Sequence, residues 1–448
     1  MTVLAGAGDE LLGTRDGPIA FVEPDTDGAP TGVIVVVSPD GEEYGRHDLG
    51  SPVVSMTAQP GWPHQVIARF GDGRPPAVVD TRTGVVNDIP YGVFRHGPSR
   101  VGAPLVVEDL NDRTRTLVGP NGVVDLEAVL GSGWVPVEGA GQRVMLFHLG
   151  DALGVIDALA LARVGNNGVV VERRFDIDPE HVLHAASQGC DGSCVVFALG
   201  SPQGQAGVVE IWHEADGLSA LSIADLADQT FTALSVDART VAIATTTDMM
   251  LIDTETTEAS GWFTADRVVS WLGGGVIVTR DRETVLHQVT GTAPLAELDD
   301  SYAPATNPLL SHTTTGDRYR WLADQNGTRN DTDIHVIDSQ TGSVRSWRES
   351  PVGDTVDDYF FAVQDIGVDR HGRAYVPTGE ALWLLDPDGT WDAVLSDVRT
   401  APMLAPESGR MVVTRRPAFD HFEVLLVDRD GTVLRELGSG LNAVWMYG

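Results

Sequence analysis

The 448 residues carry a formal charge of −34, and all 30 basic side chains are arginine, because the chain contains no lysine. So acidic a surface excludes non-specific binding to nucleic acid or to an anionic membrane; it admits basic partners and divalent cations. Hydrophobic residues make up 42%, and the 50 glycines and 25 prolines are spread along the chain, which fits many short strands joined by turns.

Residues 1–16 form an N-terminal segment with no basic stretch leading into an apolar one, so they do not read as a signal peptide. No run approaches 18 uncharged apolar residues, so no membrane-inserted helix is expected. As given, the chain reads as soluble and cytoplasmic, or as secreted if an export signal has been removed. The bias toward Val, Ala, Gly and Arg over Ile, Asn, Phe and Tyr points to a GC-rich bacterial genome. Selection against lysine modification and a saline habitat are the alternatives.

From residue 32 onward one unit recurs: an apolar run, a tight glycine turn, and a second alternating run. It is clear in GVIVVVSPDGEEYGRHDLG (32–50), PAVVDTRTGVVNDIP (76–90), IHVIDSQTGSVRSW (334–347), LWLLDPDGTWDAVL (382–395) and VLLVDRDGTVLREL (424–437). Weaker copies occupy 105–119, 207–223, 249–263 and 284–298. The stretch 154–175 fits as a longer copy, and its Ala-Leu run also fits a short helix. Alternating apolar residues around Asp-Gly or Thr-Gly predict antiparallel hairpins, because glycine reaches positive φ without a Cβ clash.

The units repeat about every 43 residues, and two further short apolar runs precede most hairpins. Four strands per such repeat predict a blade, whose two faces are buried only when blades stack. The expected fold is all-β: one β-propeller domain over 1–448, built of four-stranded antiparallel blades. Ten units are counted; seven or eight blades with extra hairpins as insertions are the alternative. Residues 438–448, ending in LNAVWMYG, are the expected ring-closing strand, with 1–16 supplying the rest of the first blade.

VDRHGRAYV (368–376) resembles the strand start of NHL-type and gluconolactonase-like propellers, and APESGRMVVTRR (405–416) is similar to that of Tol-type propellers. SPDGEEY and DPDGTW resemble the Asp-box turns of sialidase-like propellers. These resemblances imply the architecture and select no single family.

In such a fold the loop between the second and third strands shares a face with the connection to the next blade. Candidate loops on that face are 22–32, 70–76, 199–207, 323–333 and 415–422. In the loop ADQNGTRNDTD, the residues Asp324, Asn326, Asp331 and Asp333 offer oxygen ligands for Ca²⁺, and Gly327 permits a sharp turn. The spacing is not that of an EF-hand, and Asx-rich loops also arise simply as solvated turns. Glu23, Asp25 and Asp27 form a second acidic loop.

Cys190 and Cys194 flank an Asp-Gly turn, so a hairpin-tip disulfide and two free thiols are both open readings. One such pair is a poor zinc site, which needs four ligands. His181 and His184 fall on an expected innermost strand, where i and i+3 point to opposite faces; His96 and His312 lie near others. Neither a nucleophile elbow nor a phosphate loop is present. The leading expectation is a non-enzymatic binding or scaffold module that recognises a protein or peptide partner on its loop-rich face. The alternative is a hydrolase, lactonase or lyase at the channel mouth, dependent on a divalent cation or paired carboxylates.

Overall fold

The computed structural model describes residues 17–446, apart from 59–61, 96–103, 110, 141–142, 151–154, 166–167, 189–192, 201–205, 216, 222–232, 238–239, 245–247, 254–255, 257, 265–266, 273–274, 281–282, 289–290, 295–318, 326–331, 339–340, 342, 348–366, 369–371, 378–380, 399–402 and 405–408. Among the described residues the strands form nine four-stranded sheets and one of three strands, and a single short helix, Leu126–Leu130, links the third sheet to the fourth. Each sheet is an antiparallel meander. In all but the first, the strands lie side by side in chain order. The first sheet contains Ile19–Pro24, Pro30–Val37 and Glu43–Asp48, and the C-terminal strand Leu441–Trp445 takes the position before Ile19–Pro24.

Burial follows strand position. Middle strands are apolar on both faces: Leu105–Glu108 is buried throughout, and so are Ala158 to Ala162 within Ile156–Gly165. Fourth strands such as Glu43–Asp48 and Val433–Gly438 are mostly exposed. A meander covered on both faces requires such two-sided strands, and its last strand is the one that reaches water.

The covering comes from neighbouring sheets. Val66, Ala68 and Val79 of the second sheet pack on Ile34 and Val36 of the first. Val195 and Phe197 of the fifth pack on Leu159 and Leu161 of the fourth. Met411, Val413 and Leu425 of the tenth pack on Tyr375 and Leu382 of the ninth. Val412, Val424 and Leu426 of the tenth also pack on Ile19, Phe21 and Val35 of the first. The strand Leu441–Trp445 lies at this seam, and side-chain alternation divides it between two interfaces. Val444 and Met446 join the core shared with the second sheet, and Trp445 joins the core shared with the tenth.

A second contact recurs between sheets. The turn joining the third and fourth strands of one sheet sits against the fourth strand of the sheet before it. His47 Nε2 lies 2.8 Å from the Thr81 carbonyl, which fixes that nitrogen as the donor. Arg345 Nη1 donates to the Asp388 carbonyl. Across the seam, Arg435 Nη1 donates to the Asp40 carbonyl at 2.5 Å. The turn glycine is doubly constrained: Gly431 has φ +87, and a Cβ there would lie 2.3 Å from the Val394 carbonyl oxygen. Between the fourth and fifth sheets an ion-pair network stands at this place. Arg143 holds Glu214 through both terminal nitrogens, at 2.8 and 2.9 Å, and Glu172 through Nε at 2.5 Å.

One expectation changes, and one open reading is decided for the hairpin copy. The stretch 105–119 is a second-to-third-strand hairpin, Leu105–Glu108 with Arg115–Gly119; the outer turn of that sheet is the two-residue Pro120-Asn121 connection to Gly122–Val123. The Ala-Leu run of 154–175 is strand Ile156–Gly165, because its apolar residues are sandwiched between the third and fifth sheets.

Candidate binding face at the loop-rich end

Backbone hydrogen bonds place the second-to-third-strand loops and the connections between sheets at one end. Leu49 N donates to Gly32 O and Gly71 N to Pro52 O, both at 2.9 Å, so the first connection sits between the loops of the first two sheets. Arg74 Nη1 reaches Leu49 O at 3.3 Å, and the Tyr91 hydroxyl donates to Gly73 O.

The loop after Ile19–Pro24 is an Asx turn: Asp25 Oδ1 accepts from the backbone N–H groups of Asp27 (2.9 Å) and Ala29 (2.8 Å). Glu23 pairs with Arg46 at 2.6 Å. This loop touches its counterpart in the tenth sheet, where a Cβ on Gly28 would lie 3.0 Å from Asp420 Cα and 3.1 Å from the Phe422 ring. That counterpart, between Met411–Ala418 and His421–Val427, is only two residues long. Its tip presents Phe419, which is 82% exposed. The Arg416 guanidinium lies 4.5 Å from the Phe419 ring centroid and 4.9 Å from that of Phe422, and it donates to the Phe419 carbonyl from Nε at 2.9 Å and from Nη2. A guanidinium against two rings is a cation–π arrangement that favours this placement of Phe419.

Two further polar groups stand at this end. Glu108, 2% exposed, accepts from Arg113 Nη1 at 3.0 Å and Arg115 Nε at 3.1 Å. His148 Nδ1 lies 2.5 Å from Asp157 Oδ1, with the Trp134 ring 5.0 Å from the imidazole.

The predicted site residues are distributed as follows. Asp324 is the last residue but one of the strand Tyr319–Gln325, Asp333 is the second of Thr332–Asp338, and the two are register partners. Asn326 and Asp331 lie outside the described residues. Among the described residues no three His, Cys, Asp or Glu side chains form a metal-binding group. Cys194 is buried, 2% exposed, in the core between the fifth and sixth sheets, and Cys190 falls outside the described residues, as do His96 and His312. His181 precedes the strand Val182–Gln188, and His184 sits where the register shifts between Leu183 and Ala185. That bulge breaks the simple alternation on which their opposite orientation was expected. His184 Nε2 is buried without a hydrogen-bond partner among the described residues. Nearby, burial pushes the Glu210 carboxyl above its usual range, with the charge of His181 acting in the opposite direction.

Sequence reasoning selected the loops 22–32 and 415–422 but not Phe419, Arg416, Glu108 or the His148–Asp157 pair. The available signal for Phe419 was an apolar residue inside a two-residue turn between alternating runs.

No family model matches the chain, and no curated protein matches it. Solved structures are similar to it in outline. A eukaryotic initiation factor shares 11% identity at TM-score 0.39, covering 97% of this chain and 99% of its own. Apo AztD from Citrobacter koseri shares 10% at TM-score 0.35, covering 86% and 96%. Hsv2 from Kluyvelomyces marxianus shares 13% at TM-score 0.32, covering 64% and 89%. These neighbours are β-propeller proteins. The architecture of this chain rests on its own four-stranded meanders packed face to face in sequence order, which is blade packing.

Proposed function

We propose that the ten sheets are ten blades of one ring, closed where the tenth packs on the first, and that the molecule is a non-enzymatic binding module. Its partner is a protein or peptide held on the loop-rich end. The observation that carries this reading is Phe419: a large aromatic, 82% exposed, set against Arg416 at the tip of a two-residue loop. An exposed phenylalanine beside an arginine combines residue types enriched at protein interfaces. Tyr91 and Val54, 55% and 46% exposed, add apolar surface at the loop end of the second sheet. The test is co-purification of a partner by the full chain and by Phe419→Ala. A partner retained equally by both, or turnover of esters and lactones by the purified chain, overturns the reading.

One observation favours a cation near the eighth sheet. Asp324 and Asp333 are register partners on adjacent strands, which puts two of the four predicted oxygen-bearing residues side by side in the sheet. With Asn326 and Asp331 they would form the oxygen set proposed for Ca²⁺. Calorimetric titration with calcium, repeated on Asp324→Asn/Asp333→Asn, tests it; absence of binding heat in the unaltered chain removes the cation.

A further inference from the structure

We infer that the seam between the tenth and first sheets recognises a cationic peptide segment, an arginine or lysine side chain lying over the free face of Phe419. The inference rests on the binding-module reading and specifies the partner's chemistry and the place.

Three observations converge. The first is the ring. Arg416 lies 4.5 Å from the Phe419 centroid, yet Phe419 remains 82% exposed, so most of the aromatic surface is open to a ligand. An aromatic face attracts a cation through its quadrupole, more strongly when water is partly excluded.

The second is uncompensated charge beside the ring. Asp420 follows Phe419 at the loop tip, and Gly28 brings the neighbouring loop, with exposed Asp25 and Asp27, against Asp420 Cα. Asp25 is engaged by the two backbone N–H groups of its own turn. Among the described residues no basic side chain pairs with Asp27 or Asp420. Arg416, four residues before Asp420, donates to the Phe419 carbonyl. Arg415, next in sequence, is engaged by Glu423 at 2.5 Å. The carboxylates are left for an external cation.

The third is the field of the whole chain. A formal charge of −34 draws cationic ligands and repels acidic ones, so an anionic or neutral segment gains nothing from this surface. The two loops also come from opposite ends of the sequence, so the site exists only when the first and tenth sheets are together.

The experiment uses the full chain and two fluorescent peptides of equal length, one alternating arginine with leucine and one alternating glutamate with leucine. Binding is read by fluorescence anisotropy at low and moderate salt. The arginine peptide is expected to bind and the glutamate peptide not to. Phe419→Ala is expected to weaken binding about tenfold, since a partly desolvated cation–π contact is of that order. Asp27→Asn/Asp420→Asn is expected to weaken it and to reduce its salt dependence. The control Asp392→Asn/Glu436→Gln removes two exposed carboxylates from fourth strands and is expected to leave binding unchanged, which separates the seam from general acidity. Unchanged far-UV circular dichroism establishes that each variant is folded. If the control weakens binding as much as the seam variant, the peptide is held by net charge alone and the inference falls. If the arginine peptide does not bind while a co-purified partner is still lost on Phe419→Ala, the cation falls and the binding module stands. If neither binds, both fall.

Discussion

Replacing Trp445 by alanine tests the packing between the first and tenth sheets most directly. Trp445 is fully buried, belongs to the core formed with Val412, Val424 and Leu426, and donates from Nε1 to Gly17 O at 3.0 Å. Truncating a fully buried aromatic costs about 3–5 kcal/mol from lost transfer energy and the cavity left behind. The Gly17 carbonyl also loses its donor, so the expected loss is near the top of that range. Val444→Ala acts on the other side of the same strand, in the core shared with the second sheet, and should cost about 2 kcal/mol. The comparison is Trp391→Ala, on a fourth strand. That ring is 43% exposed and meets Trp383 edge-on at 5.0 Å, so its loss should stay near ~1 kcal/mol. The assay is guanidinium unfolding followed by far-UV circular dichroism, which does not depend on the removed fluorophore. A Trp445→Ala loss no greater than that of Trp391→Ala refutes the reasoning, because the C-terminal strand would then not seal the first sheet.

Gly431→Ala forces a Cβ to 2.3 Å from the Val394 carbonyl oxygen at φ +87, and should cost at least ~3 kcal/mol; Gly73→Ala has φ +83 but nothing within 4 Å, and should cost about 1 kcal/mol. Thermal melts of the two compare clash with φ alone. Hydrogen bonds from Thr390, and from Thr432 in the equivalent turn, hold Asp388 and Asp430 below the usual carboxylate range. A depressed carboxylate contributes stability above its unfolded pKa, near 3.8, that is lost as pH falls through the folded value. Melting temperature should therefore drop below about pH 4, and Asp388→Ala/Asp430→Ala should flatten that limb. Glu210 has the opposite sign. Burial raises its pKa, so the folded state is penalised once pH exceeds the unfolded value, and Glu210→Gln should raise the melting temperature at pH 7 but not at acid pH.

The fold was legible where a local rule has one solution. Gly41, Gly84, Gly389 and Gly431 all adopt positive φ in tight turns, and each of these turns was readable because only glycine takes that conformation cheaply. The outer hairpin of the third sheet was misplaced because 105–119 shows the same alternation. Its loop turns through Arg113 at φ 63, a position with no glycine signature. The Ala-Leu run was ambiguous because a strand covered on both faces has no period of two to read. The site was legible as loops and not as side chains. Phe419 and Phe422 stand three apart in one sequence pattern, yet one is 82% exposed and the other 9%. What separates them is the two-residue tip and the packing of Gly28 against Phe422, a contact between residues nearly 400 positions apart. No local pattern encodes that pairing.

The same separation bears on function. Among the described residues the sheets repeat one antiparallel meander, so a single binding position needs a break in the repeat. The seam is such a break, because the first sheet alone is assembled from both ends of the chain. A ligand that touches Phe419 in the tenth sheet and Asp27 in the first binds only molecules in which the two are together. Binding must then stabilise the closed form, by about 2.7 kcal/mol at one hundred times the dissociation constant. The converse is also required. Trp445→Ala, which loosens the seam from its buried side, should weaken the arginine peptide although residue 445 lies in the core and not in the exposed loops. Tryptophan at 391 lies on the fourth strand of the ninth sheet and is not part of the seam, and Trp391→Ala should leave the affinity unchanged. Equal affinities for the two variants, both folded at the temperature of the assay, would mean that the loops keep their geometry without the seam, and that the coupling of closure to recognition does not exist.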